Sequence, residues 1–332
     1  MQTLKRLIIL LLAGGILFAG WLGYRVVTPF EPPVVPYEFS IEPGSSLRSV
    51  AQQLAHAGMV PDAWSFILLS RATNLSSSLK AGDYEITGSI SPWQLLQRIT
   101  RGEVNQKDIR FIEGWTFSKI RESLDAHPAI RHDMAELNEG EILKGIGADE
   151  ASAEGLFFPD TYFFVRGSSD LSILRRAYHA MQKHLGAAWA SRAADLPLET
   201  PYQALILASI VEKETGRESD RAMVAGVFIN RLRRGMLLQT DPTVIYGLGE
   251  RFDGNLRKQD LLADQAYNTY TRVGLPPTPI AMPGLASIRA ALNPAVTTAL
   301  YFVAKGNGES HFSDNLADHN RAVWKYQKRQ GS

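Results

Sequence analysis

The chain has 332 residues, is 45% hydrophobic and 21% charged, and carries a formal net charge of +1. That describes an ordinary folded protein of two or three units. It excludes a disordered or collagen-like chain, and the near-neutral charge gives no electrostatic basis for nucleic-acid binding. Cysteine is absent, which excludes disulfides, thiolate metal sites and a cysteine nucleophile.

Residues 1–6 form a short basic tail ending in Lys5 and Arg6. The run from Leu7 to Gly23 then carries no charge until Arg25, and about 20 apolar residues span a bilayer. A cleaved signal peptide would have a shorter apolar core and a small-x-small cleavage site, and "LFAG" resembles a lipoprotein box that no Cys follows. An uncleaved anchor over 7–27 fits best. The basic end stays in the cytoplasm, and Trp21 and Tyr24 sit at the far interface. The remainder then lies outside the inner membrane. "VVTPFEPPVVPYE" is Pro-rich, so 28–37 is an extended, stiff spacer.

Over 38–104 the sequence alternates strand and helix. A short strand leads into a Pro43-Gly44 turn, and Ser45 or Ser46 caps a helix with Leu47, Val50, Ala51 and Leu54 at helical spacing. A second helix is expected near Trp64–Arg71, then a strand, then a helix from about Pro92. This order resembles a LysM-like module, the small fold common in peptidoglycan-binding proteins; the alternative is a generic α+β adaptor.

"DIRFIEGWTFSKIRESL" repeats the grammar of strand, Glu113-Gly114 turn and helix. "GLFFPDTYFF" is dense in aromatics and reads either as a core segment or as the wall of a cleft. "LPLETPYQALILASIVEKETG" reads as one helix, with Thr200 at the N-cap, Pro201 at the first position and Gly216 at C′. At about 100° per residue, Glu214 continues the apolar stripe of Ala204, Leu207, Ile210 and Val211. Glu212 falls beside Leu205, Ala208 and Ser209. A carboxyl among apolar side chains at a helix C-terminus keeps its proton, and a neutral carboxylic acid is what protonates the leaving oxygen of a glycosidic bond. The competing reading makes Glu214 a solvated residue just past an earlier helix end.

Downstream come a helix with Asn230 and Arg231, a turn at Arg234-Gly235-Met236, and "QTDPTVIYG". The loop "AYNTYTRVGLPPTPIAMPG" offers Asn and Thr for hydrogen bonds and Tyr ring faces. It suits a polar, uncharged, ring-shaped ligand, or is a structural loop packed by its own prolines. The seven histidines form no HExxH or ligand-like cluster, and there is no G-x-S-x-G and no P-loop.

"ASIVEKET", "VFINRLRRGMLLQTDPTVIYGLG", "AYNTYTRVGLPP", "GLFFPDTY" and the closing "LYFVAKGNGESHFSDNLADHNRAV" together resemble the endolytic murein transglycosylases, the MltG/YceG-like family. The resemblance implies an inner-membrane, single-pass enzyme whose catalytic part faces the periplasm. Such enzymes cut the MurNAc–GlcNAc β-1,4 bond within glycan strands without adding water, leaving 1,6-anhydroMurNAc ends. It makes Glu214, the second Glu of "EKE", the catalytic residue, first as acid and then as base towards the muramic 6-hydroxyl. It also implies action on nascent strands, association with penicillin-binding synthases and no cofactor. Gln239, Asp241, Tyr246, Asn268 and Tyr270 are candidates for substrate contact. Asp241 is also a candidate second carboxylate, with a structural turn role as the alternative. The expected fold is α+β: a transmembrane helix, a LysM-like subdomain over 38–104, and a larger catalytic domain over 105–332 with a lysozyme-like catalytic helix. A hydrolytic muramidase using Glu214 and Asp241, and a non-catalytic peptidoglycan-binding scaffold, are the rival classes.

Overall fold

The computed structural model describes residues 2–328 apart from Pro33, Pro43 and Asn105. Pro43 of the expected turn, Pro33 of the spacer, Met1 of the tail, the 105 boundary and the last four residues of the 105–332 segment therefore lie outside the described residues. The architecture is a mixture of helices and short strands in two compact units. One comprises Met1–Lys107 with Phe163–Gly167, the other Asp108–Tyr162 with Ser168–Ser332.

In the first unit, α1 (Gln2–Val27) is the one helix among the described residues long and apolar enough to cross a membrane, over Ile9–Val27. Strands β1 (Tyr37–Ile41) and β2 (Gly82–Ile86) pair antiparallel with Phe39 opposite Tyr84, their rings stacked at 5.3 Å. Between them run α2 (Leu47–His56) and α3 (Ala63–Ala72), and α4 (Pro92–Arg101) follows. Each start is set by its capping residue. Ser46 accepts from the Ser49 N–H, Asp62 from the Ser65 N–H, and Ser91 exchanges bonds with Gln94 in a capping box. Leu54, Phe66, Tyr84, Leu95 and Ile99 fill the core these elements enclose.

The second unit begins with β3 (Lys107–Arg110), which enters from the first, and α5 (Phe117–Asp125), capped by Thr116. Then come β4 (Ile130–Arg131), α6 (Glu139–Ile146), β5 (Thr161–Phe164), whose last two residues belong to the first unit, β6 (Ser168–Ser169) and α7 (Asp170–Ala190). After these follow α8 (Pro201–Glu214), α9 (Glu218–Arg233), α10 (Asp241–Leu248), α11 (Lys258–Leu262) and α12 (Leu285–Leu292). A β7 (Tyr301–Ala304) and β8 (Ser310–Ser313) hairpin and α13 (Leu316–Val323) end it. "GLFFPDTY" takes the core role: Leu156 and Phe157 are wholly buried, and Phe157 stacks on Phe117.

Helix α8 is the axis of this unit. Thr200 accepts from the Gln203 N–H and Pro201, which has no N–H, takes the first position, so two of the first-turn donors that a helix start leaves orphaned are dealt with. Every residue from Ala204 to Val211 is buried, because α7, α9, α10 and α12 pack around it. The expected division into an apolar and a mixed face is thus replaced by burial on all sides. Gly216 does fall at C′, as expected, but without the left-handed backbone usual there. Thr215 turns extended at φ −145°, and its hydroxyl accepts from the Arg217 N–H at 3.1 Å.

Candidate active site

Glu214 is the last residue of α8 and lines a cleft of about 640 Å³. Facing it are the start of α10, the strand β7 and one side of α13. Thr240, only 2% exposed, donates its hydroxyl to Glu214 Oε1. Burial pushes the Glu214 pKa up to about 7; the Thr240 bond and the nearby Arg231 charge oppose the rise, and Asp241 adds to it. A carboxyl poised there can give and retrieve a proton at neutral pH.

The structure brings together four of the six residues expected at the site. Glu214, Gln239, Asp241 and Tyr270 all line this cleft. Gln239 sits at φ +51°, a costly conformation for a side chain of its kind. It is held there by its N–H donating to the Thr269 carbonyl at 3.0 Å. Asp241 opens α10 and accepts from the Tyr270 hydroxyl; burial, then that bond, push the Tyr270 pKa well up.

The other two lie elsewhere. Asn268 is fully buried; its amide donates to the carbonyls of Asp260, Leu261 and Ala263 and its oxygen accepts from the Tyr270 N–H. It shapes the 266–284 loop from inside and has no surface for a ligand. Tyr246 donates to the buried Glu154 at 3.1 Å and meets Tyr267 edge-on. The same Glu154 carboxylate accepts from the Phe117 N–H at 3.1 and 3.2 Å, so it joins α5 to α10.

Four more residues bear on the site without having been singled out by sequence: Arg231, Tyr301 and His319, which line the cleft from separate elements, and Thr240, which holds Glu214 from beneath it. Arg231 is 7% exposed. Its Nε donates to the Leu300 carbonyl at 2.7 Å, and its Nη1 to those of Leu237 and Leu238 at 3.1 and 2.8 Å. One guanidinium thereby ties α9, β7 and the strained 237–239 segment together. The signal available was position: Thr240 directly precedes Asp241, and Tyr301 and His319 fall in the closing block.

Glu212 has a separate environment on the far side of the helix end. Its side chain is 7% exposed, lies 3.5 Å from Arg221, and accepts from the Gly284 N–H at 2.9 Å. Ser209, one turn earlier, accepts from the Ile280 N–H at 3.0 Å. The segment 280–284 is thus strapped along α8 by Ser209 and Glu212, and it exchanges backbone bonds with Gly114 and Trp115. Away from the cleft, ligand atoms of Asp125, His132 and Asp170 lie within 4.8 Å of one another. The Asp170 carboxylate already accepts from the N–H groups of Asp133, Met134 and Leu171, which is a structural use.

The sequence profile of the YceG-like family matches residues 39–325. An endolytic murein transglycosylase from Bacillus subtilis (strain 168) is 30% identical over 304 residues, covering 86% of this chain and 84% of that one. One from Streptococcus pneumoniae serotype 2 is 28% identical over 343 residues, covering 92% of this chain and 62% of that one. The crystal structure of a yceG-like protein from Listeria monocytogenes superposes with a TM-score of 0.54 at 28% identity, covering 86% of this chain and 98% of that one. A cleft built around the end of a buried helix, and a family match spanning most of the sequence, lead to one conclusion: this chain belongs to the YceG-like family.

Proposed function

We propose that the protein is an endolytic lytic transglycosylase of peptidoglycan, cutting the MurNAc–GlcNAc β-1,4 bond to leave 1,6-anhydroMurNAc ends. The observation that carries this reading is the Glu214 carboxyl, screened from water, hydrogen-bonded by Thr240 and open to a cleft, with a pKa raised to about 7. The names of the relatives support the substrate class.

Glu214 protonates the glycosidic oxygen as the bond from that oxygen to the muramic C1 breaks. The resulting carboxylate then takes the proton of the muramic 6-hydroxyl as its oxygen bonds to C1. No water enters, and one carboxyl serves both steps because the nucleophile belongs to the substrate, unlike the two-carboxylate scheme of hydrolases. Thr240 stabilises the carboxylate between the steps. Gln239 and Tyr270 are assigned to sugar contact, and Asp241 to orienting Tyr270.

The rest of the reading follows the family. Residues 7–27 anchor the chain in the inner membrane, 28–37 space it, and 38–104 form a LysM-like subdomain. Residues 105–332 form the periplasmic catalytic domain, with α8 as a lysozyme-like catalytic helix. The enzyme acts on nascent strands, limits their length and works beside penicillin-binding synthases.

Mass analysis of digested peptidoglycan tests this. Anhydro-muropeptides are expected from the native chain and none from Glu214→Gln. Products one water heavier would instead identify a hydrolase using Glu214 and Asp241.

A further inference from the structure

The cleft extends well past the residues the proposed chemistry uses. Its far wall is made by β7 and α13, where the rings of Tyr301 and His319 stack at 5.1 Å and 25°. The Arg231 guanidinium lies 5.0 Å from the centre of the Tyr301 ring. Its Nε and Nη1 are committed to carbonyls, while its Nη2 makes no hydrogen bond among the described residues and is not one of the buried unpartnered atoms. His319 is asymmetric in the same way. Its Nδ1 is buried with no partner, whereas Nε2 is not sealed off.

Burial first, then the charges of Arg231 and His311, lower the His319 pKa, so the imidazole is neutral at neutral pH. A neutral ring pair flanked by outward-facing nitrogens and by the exposed Asn320 matches one kind of ligand. A pyranose presents an apolar C–H face bordered by equatorial hydroxyls and an acetamido group. The face packs on aromatic rings and the border takes hydrogen bonds.

We propose that the β7–α13 wall is a saccharide subsite adjoining Glu214, with the outer face of the His319 ring, backed by the Tyr301 ring stacked behind it, as its platform and Arg231 Nη2 and Asn320 as its polar rim. This rests on the glycan-cleaving reading of the cleft and adds where a sugar beyond the cut bond is held. The geometry gives the subsite a purpose. A strand fixed at one sugar only would pivot about it, whereas a second fixed ring aligns the scissile oxygen with a carboxyl that sits at the end of a rigid helix.

The test uses the full-length chain carrying Glu214→Gln, so that binding is read without turnover, and a denuded GlcNAc–MurNAc oligosaccharide of defined length as the probe. Calorimetry with added Tyr301→Ala or His319→Ala is expected to show Kd weakened about tenfold, and Tyr301→Phe to bind within about twofold of its parent. Should Tyr301→Ala unfold the chain, the His319→Ala and Tyr301→Phe pair carries the comparison. Undiminished affinity in the folded alanine variants, or no binding of the probe by the Glu214→Gln parent, overturns the subsite. Product masses from the native chain are read separately. Hydrolytic products with a ring-dependent Kd would leave the subsite standing and remove the lytic chemistry; anhydro products with a ring-independent Kd would do the reverse.

Discussion

Thr240 donates its hydroxyl to Glu214, and the contact joins the residue before α10 to the last turn of α8. Thr240 is almost wholly buried and caps no backbone N–H with its side chain, so this is where its proton goes. The bond favours the carboxylate and opposes the effect of burial. Thr240→Val keeps the shape and removes the donor. A hydrogen bond to a charged group is worth about 1.5–3 kcal/mol, and about 1.4 kcal/mol is one pKa unit. The alkaline limb of the kcat/KM profile, set by loss of the acid form, is therefore expected to move up by about one pH unit. An unshifted limb in Thr240→Val would detach this hydroxyl from the chemistry.

Glu214 also makes stability depend on pH. Its folded-state pKa of about 7 lies above the ordinary 4.5 of a glutamate, so the native state holds the proton more tightly than the unfolded chain. That contribution is complete below pH 4.5 and is lost as pH rises to and through about 7. Gln carries no such dependence and still accepts from Thr240. Glu214→Gln is expected to unfold at the same temperature as the native chain at pH 4 and at a higher one at pH 8, by an amount worth at most about 3 kcal/mol. Calorimetric melts at the two pH values decide it, and equal melts at pH 8 would contradict the burial of this carboxyl.

The helix starts are written in local sequence. Thr200-Pro201, the cap at Ser46 and the start at Pro92 follow from residue type alone. What escaped was anything assembled from distant segments. Helical phase assigned Glu214 a more apolar face than Glu212, yet α8 is buried all round from Ala204 to Val211, and at its end Glu212 is the enclosed side chain while Glu214 opens to the cleft. They differ in partners: Thr240 for one, Arg221 and Gly284 for the other. Asn268 read as a ligand contact because loop Asn residues are polar; here its polarity is spent on three carbonyls at the end of α11. Arg231, Tyr301 and His319 had no periodic signal, since only tertiary folding aligns α9, β7 and α13.

The two acids of "EKE" should separate cleanly in mutants. Glu212→Gln keeps an acceptor for the Gly284 N–H but removes the charge facing Arg221, whose Nε is already buried without a partner. Arg221 keeps the Glu113 carboxylate nearby, so weakening this largely buried pair costs at most about 3 kcal/mol. We expect a lower thermal midpoint with kcat within about tenfold of native, while Glu214→Gln melts no lower than native, and higher above neutral pH, yet loses kcat entirely. Parallel melts and product assays on the two variants check this; loss of chemistry in a fully stable Glu212→Gln would transfer the catalytic role to Glu212.

Gly155 and Gly147 offer a matched pair for the packing behind the site. Both have φ +80°, where an added Cβ costs about 1–2 kcal/mol. At Gly147 nothing lies within 4 Å of that Cβ, whereas at Gly155 it would stand 2.4 Å from Pro279 Cβ. Pro279 precedes Ile280, whose N–H is tied to Ser209 in α8. Overpacking adds about 1–3 kcal/mol, so Gly155→Ala is expected to lose about 2–5 kcal/mol in urea titrations and Gly147→Ala only the conformational part. Because the clash pushes on the strap that holds α8, Gly155→Ala should also lower kcat while Gly147→Ala leaves it intact. Equal losses in the two variants would show that the 279–284 segment yields freely and does not hold the catalytic helix in place.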